Sequence, residues 1–409
     1  MRQSQLFTRT RREAPKDEVA KNAQLLIRAG FIHKEQAGVY SYLPLGLRVL
    51  NKIIAIIREE MNGLGGEEVA LSALQEKETW EPTNQWSDEQ VDVWFKTNLK
   101  SGTELGLAVT HEAALTKLLT NFIASYRDLP RAIYQFQTKF RNEQRAKSGL
   151  LRCREFLMKD LYSFARSAEE HQEFYERVKA AYGRIFNQVG LGEQTYLTFA
   201  SGGIFGQFSH EFQTLTEAGE DTIYVDEEKK LGVNLEVATP EVLTQLGMVK
   251  ESLLPRKAIE VGNIFSLGTR FSTALGLSYR DETGVERPAV MGSYGIGPGR
   301  VLGAITEVWA DNAGLVWPSA VAPFAIHLVE LPSANGEVRA RAEAVYQDLT
   351  RRGIETLWDD RDLKPGEKFA DSDLLGLPTR IIISEKTLGE NKFEVKDRRS
   401  GEIHFADHV

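Results

Sequence analysis

Phe140-Arg141-Asn142-Glu143 and, beyond a loop of Gln144 to Gly149, Arg152-Cys153-Arg154-Glu155-Phe156 are the most informative residues of this 409-residue chain. The run before them, Ile133 to Phe140, alternates apolar with polar residues and is expected to be a half-buried strand. Cys153 to Lys159 is its expected partner, so the two make an arginine-rich hairpin. Arginine at a strand end suits a phosphate or a carboxylate, because its planar fork makes paired, charge-assisted hydrogen bonds. Phe156 beside it offers a face to a purine. The same composition also fits a solvated hairpin whose charges only pair with each other.

Outward from the hairpin, a second stretch carries chemistry. Met291-Gly292-Ser293-Tyr294-Gly295-Ile296-Gly297-Pro298-Gly299-Arg300 enters an expected helix, Val301 to Trp309. Its glycines permit close backbone approach to a ligand, and an arginine at a helix opening reaches it. The run lacks the G-x-G-x-x-G spacing of a dinucleotide fold, and a tight strand-to-helix turn explains it equally well. Ile259 to Leu267 and Ala289 to Tyr294 are strand-like. Apolar spacing predicts helices over Asp17 to Ala29, Leu47 to Met61 and Ser167 to Val189, with Pro44 expected to interrupt helical structure before the second. Trp80 to Thr97 has no clear period. Glu220 to Pro255 is polar and reads as a small surface excursion. Beyond Trp317-Pro318 strands and helices alternate from Phe324 to Ser384, the pattern of a small α/β domain.

At roughly 150 residues per domain the chain holds two or three domains. An apolar fraction of 42% and a charged fraction of 26% exclude disorder, and no stretch approaches the roughly 18 uninterrupted apolar residues of a membrane span. One cysteine, Cys153, excludes a disulfide framework and a multi-thiolate zinc site. Arg9, Arg11 and Arg12 imitate a transit peptide, but Glu13, Asp17 and Glu18 argue against one, and a cytoplasmic location is expected. Fifty basic against 58 acidic residues leave a formal charge of −8, which speaks against coating nucleic acid through a basic surface while permitting a local basic groove.

Taken together, F-R-x-E, a loop, R-x-R-E-F and the distant G-x-G-x-G-R resemble motifs 2 and 3 of class II aminoacyl-tRNA synthetases, and the Pro44 passage with its following helix resembles motif 1. Val109-Thr110-His111-Glu112, Arg154 to Asp160, Ser209-His210-Glu211-Phe212 and Tyr294 to Gly297 resemble the bacterial type of prolyl-tRNA synthetase, as do Asp359-Asp360-Arg361, Lys368-Phe369-Ala370-Asp371 and Gly376-Leu377-Pro378. The resemblance implies an α+β class II catalytic domain, an antiparallel sheet flanked by helices, over 1–317. Motif 1 falls at about 38–70, motif 2 at about 133–164 and motif 3 at about 289–309, with a short excursion at 220–257 in place of an editing domain. A small α/β anticodon-binding domain follows over 318–409.

The implied activity is ATP-dependent ligation of L-proline to tRNA(Pro) through prolyl-adenylate, without editing of mischarged alanine in cis. In that reading Arg141 and Arg300 are catalytic. ATP is held by Arg141, Glu143, Arg152, Phe156 and Arg300, and proline by Thr110, Glu112, Arg141, Gly203, His210 and Ser293. His210 has an alternative as an ordinary packed histidine. Arg361, Lys368 and Phe369 are the expected anticodon contacts. Mg²⁺ is expected to bridge phosphates rather than to sit in an all-protein metal site. A homodimer is implied by motif 1 alone. Ala113, where the family tends to carry a second carboxylate, and the poorly matching Trp80 to Leu99 region are departures. The competing reading is a catalytically altered paralogue acting as an RNA- or protein-binding factor. Loss of the motif arginines would mark it, and Arg141, Arg154 and Arg300 are present.

Overall fold

The first expected helix forms as α1 (Lys21–Arg28) in a computed structural model that describes residues 1–201, 208–249, 253–334 and 336–408. Ala23, Leu26 and Ile27 are buried as their spacing requires, but Val19 lies ahead of the helix and is 84% exposed. Asp17 and Glu18 bond Lys34 at 2.8 and 3.3 Å instead of opening the helix. The second helix, α2 (Pro44–Gly63), begins at the proline that was expected to break it. A proline in the first turn lacks only an N–H that has no partner there anyway, and its fixed φ already suits the helix.

The described residues fall into two compact units, one of Gln36–Val39 with Ile54–Ala304 and one of Met1–Glu35 with Tyr40–Ile53 and Ile305–Val409. The first is built on nine strands: β1 (Glu67–Glu68), β2 (Arg131–Phe140), β3 (Glu155–Ala165), β4 (Thr195–Ser201), β5 (Phe208–Leu215), β6 (Asp221–Asp226), β7 (Leu231–Asn234), β8 (Leu254–Gly268) and β9 (Val290–Ile296). Their order is β5-β4-β7-β6-β8-β9-β3-β2-β1, with β5 also paired to β8. All pairs are antiparallel except β7 with β4 and β1 with β2. The expected hairpin is β2 and β3, longer than its sequence signal, in a register from Arg131 opposite Phe164 to Phe140 opposite Glu155.

Residues 220–255 do not form a surface excursion. Their strands β6 and β7 sit inside the sheet, and Val233, Leu243, Met248 and Leu253 close a small core of their own. The unclear Trp80 to Thr97 region folds around three buried indoles, with Trp94 5.4 Å from Trp80 and 5.2 Å from Trp86. Two of the three donors bond within the region, Trp80 Nε1 to Gln75 and Trp94 Nε1 to the Gln85 carbonyl, each at 2.9 Å. Helices α3 (Glu112–Leu119) and α4 (Ala168–Gln188) belong to this unit. Ser167 caps α4 by accepting from the Glu170 N–H at 3.2 Å, and Tyr175, Val178, Tyr182 and Ile185 form its buried stripe.

Helix α5 (Pro298–Trp309) follows β9. The C-terminal alternation then forms as expected, with β10 (Ile326–Glu330), α6 (Gly336–Arg351), β11 (Thr356–Asp359), α7 (Pro365–Leu375) and β12 (Thr379–Ile383). Two strands with no sequence signal, β13 (Phe393–Asp397) and β14 (Ile403–Ala406), complete a sheet ordered β11-β10-β12-β13-β14. The chain's first residues join it: the Trp358 N–H donates to the Met1 carbonyl at 2.9 Å, and buried His327 bonds Gln3 at 3.0 Å.

Candidate active site

Side chains alternate across a pleated sheet, and cross-strand partners share a face. Gln135 lies opposite Asp160, Asp160 opposite Gly295, Gly295 opposite Asn263, and Asn263 opposite Glu211. That polar row marks the functional face, to which Lys139, Phe156, Tyr162 and Ser293 also belong. The reverse face carries Lys159, Tyr294 and Phe212, and α4 covers it, with Tyr182 accepting from Lys159 at 2.6 Å. Gly292 is required by that packing, because a Cβ there would lie 2.4 Å from the Tyr294 hydroxyl and 2.7 Å from His171.

Beneath the functional face lies a closed polar network. The Lys139 ammonium, fully buried, donates to both Asp160 oxygens at 2.9 Å and to His111 Nδ1 at 2.6 Å. Nε2 of His111 therefore carries the ring proton and donates to the Ser72 carbonyl at 3.0 Å. Burial, reinforced by Lys139, pushes His111 down to about 4, so the ring is neutral. Asp160 also accepts from Gln135 at 3.0 Å and from Tyr162 at 2.9 Å. The same Tyr162 hydroxyl receives the His111 backbone N–H at 3.1 Å. Four side chains on two strands thus fix the turn that opens α3.

Glu112 stands at that opening. The Thr110 hydroxyl donates to it, and Ser293 donates from 3.4 Å. Burial, opposed by the Thr110 hydrogen bond, raises its pKa. The structure brings Thr110, Glu112 and Ser293 together as one cluster, a buried carboxylate flanked by two hydroxyls. Arg141 continues β2, with its guanidinium 5.3 Å from the Phe156 ring and 3.5 Å from the Val109 carbonyl. Burial and then the nearby Arg300 charge depress its pKa, while Glu260, Glu112 and Glu143 offset them. A guanidinium facing another cation in a dry site favours an anionic ligand.

The remaining motif residues form the far wall. Arg300 donates to the carbonyls of Leu151 and Glu260 at 2.9 and 2.8 Å. Arg152 forks onto Glu143 at 3.1 and 2.7 Å and reaches Glu220 at 2.8 Å. Arg154 is structural, donating to the Glu143 and Ala37 carbonyls at 3.0 and 2.9 Å. Burial raises the Cys153 thiol to about 12, which removes it as a nucleophile.

Two expectations change. His210 does not join the proline cluster: it sits one residue from Glu211 on β5, on the α4 side, where Tyr175 bonds its Nδ1 at 2.7 Å and Phe199 packs at 4.8 Å. The packed-histidine alternative is the one that fits. Lys368 is 1% exposed and spends its ammonium on the carbonyls of Glu330 and Asp359 at 2.5 and 3.1 Å, so it holds the Asp359-Asp360-Arg361 turn rather than meeting a base. Arg361 is tied to Asp359 at 2.8 Å and Asp371 at 2.9 Å, and Phe369 lies under Arg380 at 4.9 Å. Gly203 lies outside the described residues. Lys139, Asp160 and Tyr162 were missed, and the alternation of β2 and β3 was the signal that places them on the functional face. Glu260 was missed as well. Burial and adjacent Glu260 push Glu211 up to about 8, and Asn263 donates to Glu260 at 2.8 Å.

Comparison with known proteins identifies the family. The family described as tRNA synthetase class II core domain (G, H, P, S and T) matches residues 95–309, and the anticodon binding domain family matches 319–405. A proline--tRNA ligase of Methylobacterium radiotolerans is 37% identical over 98% of this chain and 96% of its own length. One from Geobacillus kaustophilus is 33% identical over 551 aligned positions, 98% of this chain and 97% of that protein. In fold, the chain resembles prolyl-tRNA synthetase of Cryptosporidium parvum, solved with halofuginone and AMPPNP (TM-score 0.79, 18% identity, 94% of this chain and 74% of that one). It also resembles the Giardia lamblia enzyme solved with prolyl-adenylate (TM-score 0.76, 18% identity, 93% and 73%). With a class II core, an anticodon-binding domain and relatives this similar over nearly its whole length, the chain belongs to the proline--tRNA ligase family.

Proposed function

We propose that the protein joins L-proline to tRNA(Pro) in two steps. The observation that carries this is a buried, hydroxyl-flanked carboxylate, Glu112 at the opening of α3, near a dehydrated guanidinium, Arg141 at the end of β2. One end takes an ammonium and the other a carboxylate, the two charges of an amino acid. In the first step a proline carboxylate oxygen attacks the α-phosphorus of ATP. The bond from that phosphorus to the bridging oxygen breaks, and pyrophosphate leaves with the electron pair. Glu112 and Thr110 hold the proline nitrogen, Ser293 borders the ring, and Arg141 spans the proline carboxylate and the α-phosphate. Phe156 and Arg300 border the adenine, with Arg152 and Glu143 against the rest of the nucleotide. In the second step a hydroxyl of the terminal ribose of tRNA attacks the acyl carbon, loses its proton, and AMP leaves. Catalysis rests on positioning and on donors aimed at developing phosphate charge.

Mg²⁺ fits this site through Glu211 and Glu260, two crowded carboxylates of the hard oxygen type that it prefers. Bound there, the ion would neutralise phosphate charge. The domain division at 317/318, a homodimer and a cytoplasmic location complete the proposal. No helix among the described residues is long and apolar enough to cross a membrane. Proline-dependent exchange of labelled pyrophosphate into ATP tests the reading. Exchange is expected with the wild type, and Arg141→Ala should lower it about 10²–10³-fold. A wild-type chain inert at saturating proline would instead favour the non-catalytic paralogue.

A further inference from the structure

The arginines near the start of the chain, Arg9, Arg11 and Arg12, take no part in the catalytic face. They lie in the unit that contains the anticodon-binding domain, along a cleft of about 1150 Å³. One wall is the segment from Gln3 to Arg12, and the other is the turn from Asp360 to Leu363 with the start of α7. The segment is fastened at four points. Gln3 bonds buried His327 at 3.0 Å, and Ser4 donates through its backbone and hydroxyl to Asp360 at 3.0 and 2.7 Å. Thr10 donates to Asp371 at 2.6 Å, and the Arg11 N–H donates to the Arg28 carbonyl at 2.7 Å. These arginines are thus carried on an anchored backbone, not on a loose tail.

The charges of the cleft are unevenly spent. Asp360 is occupied by Ser4, Asp371 by Thr10 and Arg361, and Asp373 by Arg380 and Lys396 at 3.1 and 3.0 Å. Among the described residues Arg9 and Arg11 form no ion pair, and both are exposed. Arg12 is 95% exposed and only 3.9 Å from Glu367. Nε of Arg28, also lining the cleft, is buried without a hydrogen-bond partner. The cleft also holds Asp362, which forms no ion pair among the described residues, so the unspent groups are the guanidiniums of Arg9 and Arg11 and the Arg28 Nε against that one carboxylate, in a protein whose net charge is −8. Guanidinium groups match phosphate oxygens, and each neutralised phosphate releases condensed counterions.

We propose that this cleft is a second RNA-docking surface, in which Arg9, Arg11 and Arg12 hold the phosphodiester backbone of tRNA. It would fix the orientation of the RNA without reading its sequence. The proposal rests on the tRNA-charging function above, and the test keeps the two apart. In the full-length chain, the triple variant Arg9→Ala, Arg11→Ala, Arg12→Ala should keep wild-type proline-dependent pyrophosphate exchange, which needs no tRNA. Its KM for tRNA(Pro) should rise about tenfold or more, and the slope of log affinity against log salt should fall by about 0.7–0.9 for each phosphate no longer neutralised. The matching lysine triple should recover most of the slope, because counterion release counts charge. An alanine triple with unchanged KM and slope, including one that has lost a protein partner instead, overturns the proposal. So does a lysine triple that behaves like the alanine triple, since packing would then be the cause. Loss of exchange in the wild type would count against the charging function itself.

Discussion

Glu112 shows how much a single residue's environment adds to its identity. Its carboxylate is buried beside Thr110, Ser293 and Tyr162, with Asp160 raising its proton affinity and Lys139 lowering it. Arg141 is the other charge that faces it. Burial dominates, so in the empty site Glu112 binds a proton more readily than a free glutamate. In its proposed role the proline ammonium needs the ionised form, hence proton and proline would compete. As pH falls through the raised pKa, the KM for proline in pyrophosphate exchange should climb. Glu112→Gln should show a high KM throughout, with that acid limb gone; a limb that persists in the variant would assign the titration elsewhere. Glu112 was legible in the sequence only through the Thr-His-Glu resemblance. Lys139 was not, because in an alternating strand a lysine counts as a polar, outward residue. Its burial depends on Asp160 arriving opposite from another strand, an arrangement that sequence periodicity does not express.

At the scale of elements, apolar spacing located α1, α2, α4 and the C-terminal alternation, with α4 bounded by Ser167 and Val189 as expected, but misjudged where α1 and α2 begin, because starts depend on capping and on local partners. Pro44 opens α2 rather than interrupting it, and β6 and β7 read as polar excursion since they are only six and four residues long and the turn between them, Glu227-Glu228-Lys229-Lys230, is fully charged. The end of α7 gives a measurable case. Gly376 follows it with φ +70°, and a Cβ there would fall 2.0 Å from the Leu315 carbonyl oxygen. Gly376→Ala therefore meets both backbone strain and a collision with backbone, and should destabilise the protein by more than about 1 kcal/mol. Gly366, inside α7, has nothing within 4 Å of such an added carbon. Gly366→Ala should be neutral or stabilising, by up to about 1 kcal/mol from helix propensity. Thermal melting of the two variants reads the contrast directly. Equal melting temperatures would mean that the Leu315 contact yields without cost.

For the whole molecule, a net charge of −8 first speaks against a nucleic-acid partner, and the family relationship resolves the conflict through locality: guanidinium is gathered at the catalytic face and along one cleft. Length is informative in a similar way. The alignment with the Geobacillus kaustophilus ligase extends over 551 positions, covering 98% of this 409-residue chain and 97% of that relative, so the longer protein carries additional internal sequence around a shared framework. Within the shorter chain, the described residues of 220–255 place β6 and β7 in the sheet and close only a small core around Val233, Leu243, Met248 and Leu253. On the proposed reading, selection against alanine rests on the synthetic site alone. In the proposed site Glu112 and Thr110 would accept the alanine ammonium as readily as that of proline, and Arg141 its carboxylate, so discrimination would come from the ring. Each missing methylene is worth only about 1–3 kcal/mol, or 10–200-fold. Alanine should therefore drive pyrophosphate exchange at a reduced kcat/KM, and alanyl-tRNA(Pro) made by the enzyme should persist in its presence, decaying no faster than in buffer. Enzyme-dependent deacylation of that species would locate a hydrolytic centre in this chain and defeat the inference from its architecture.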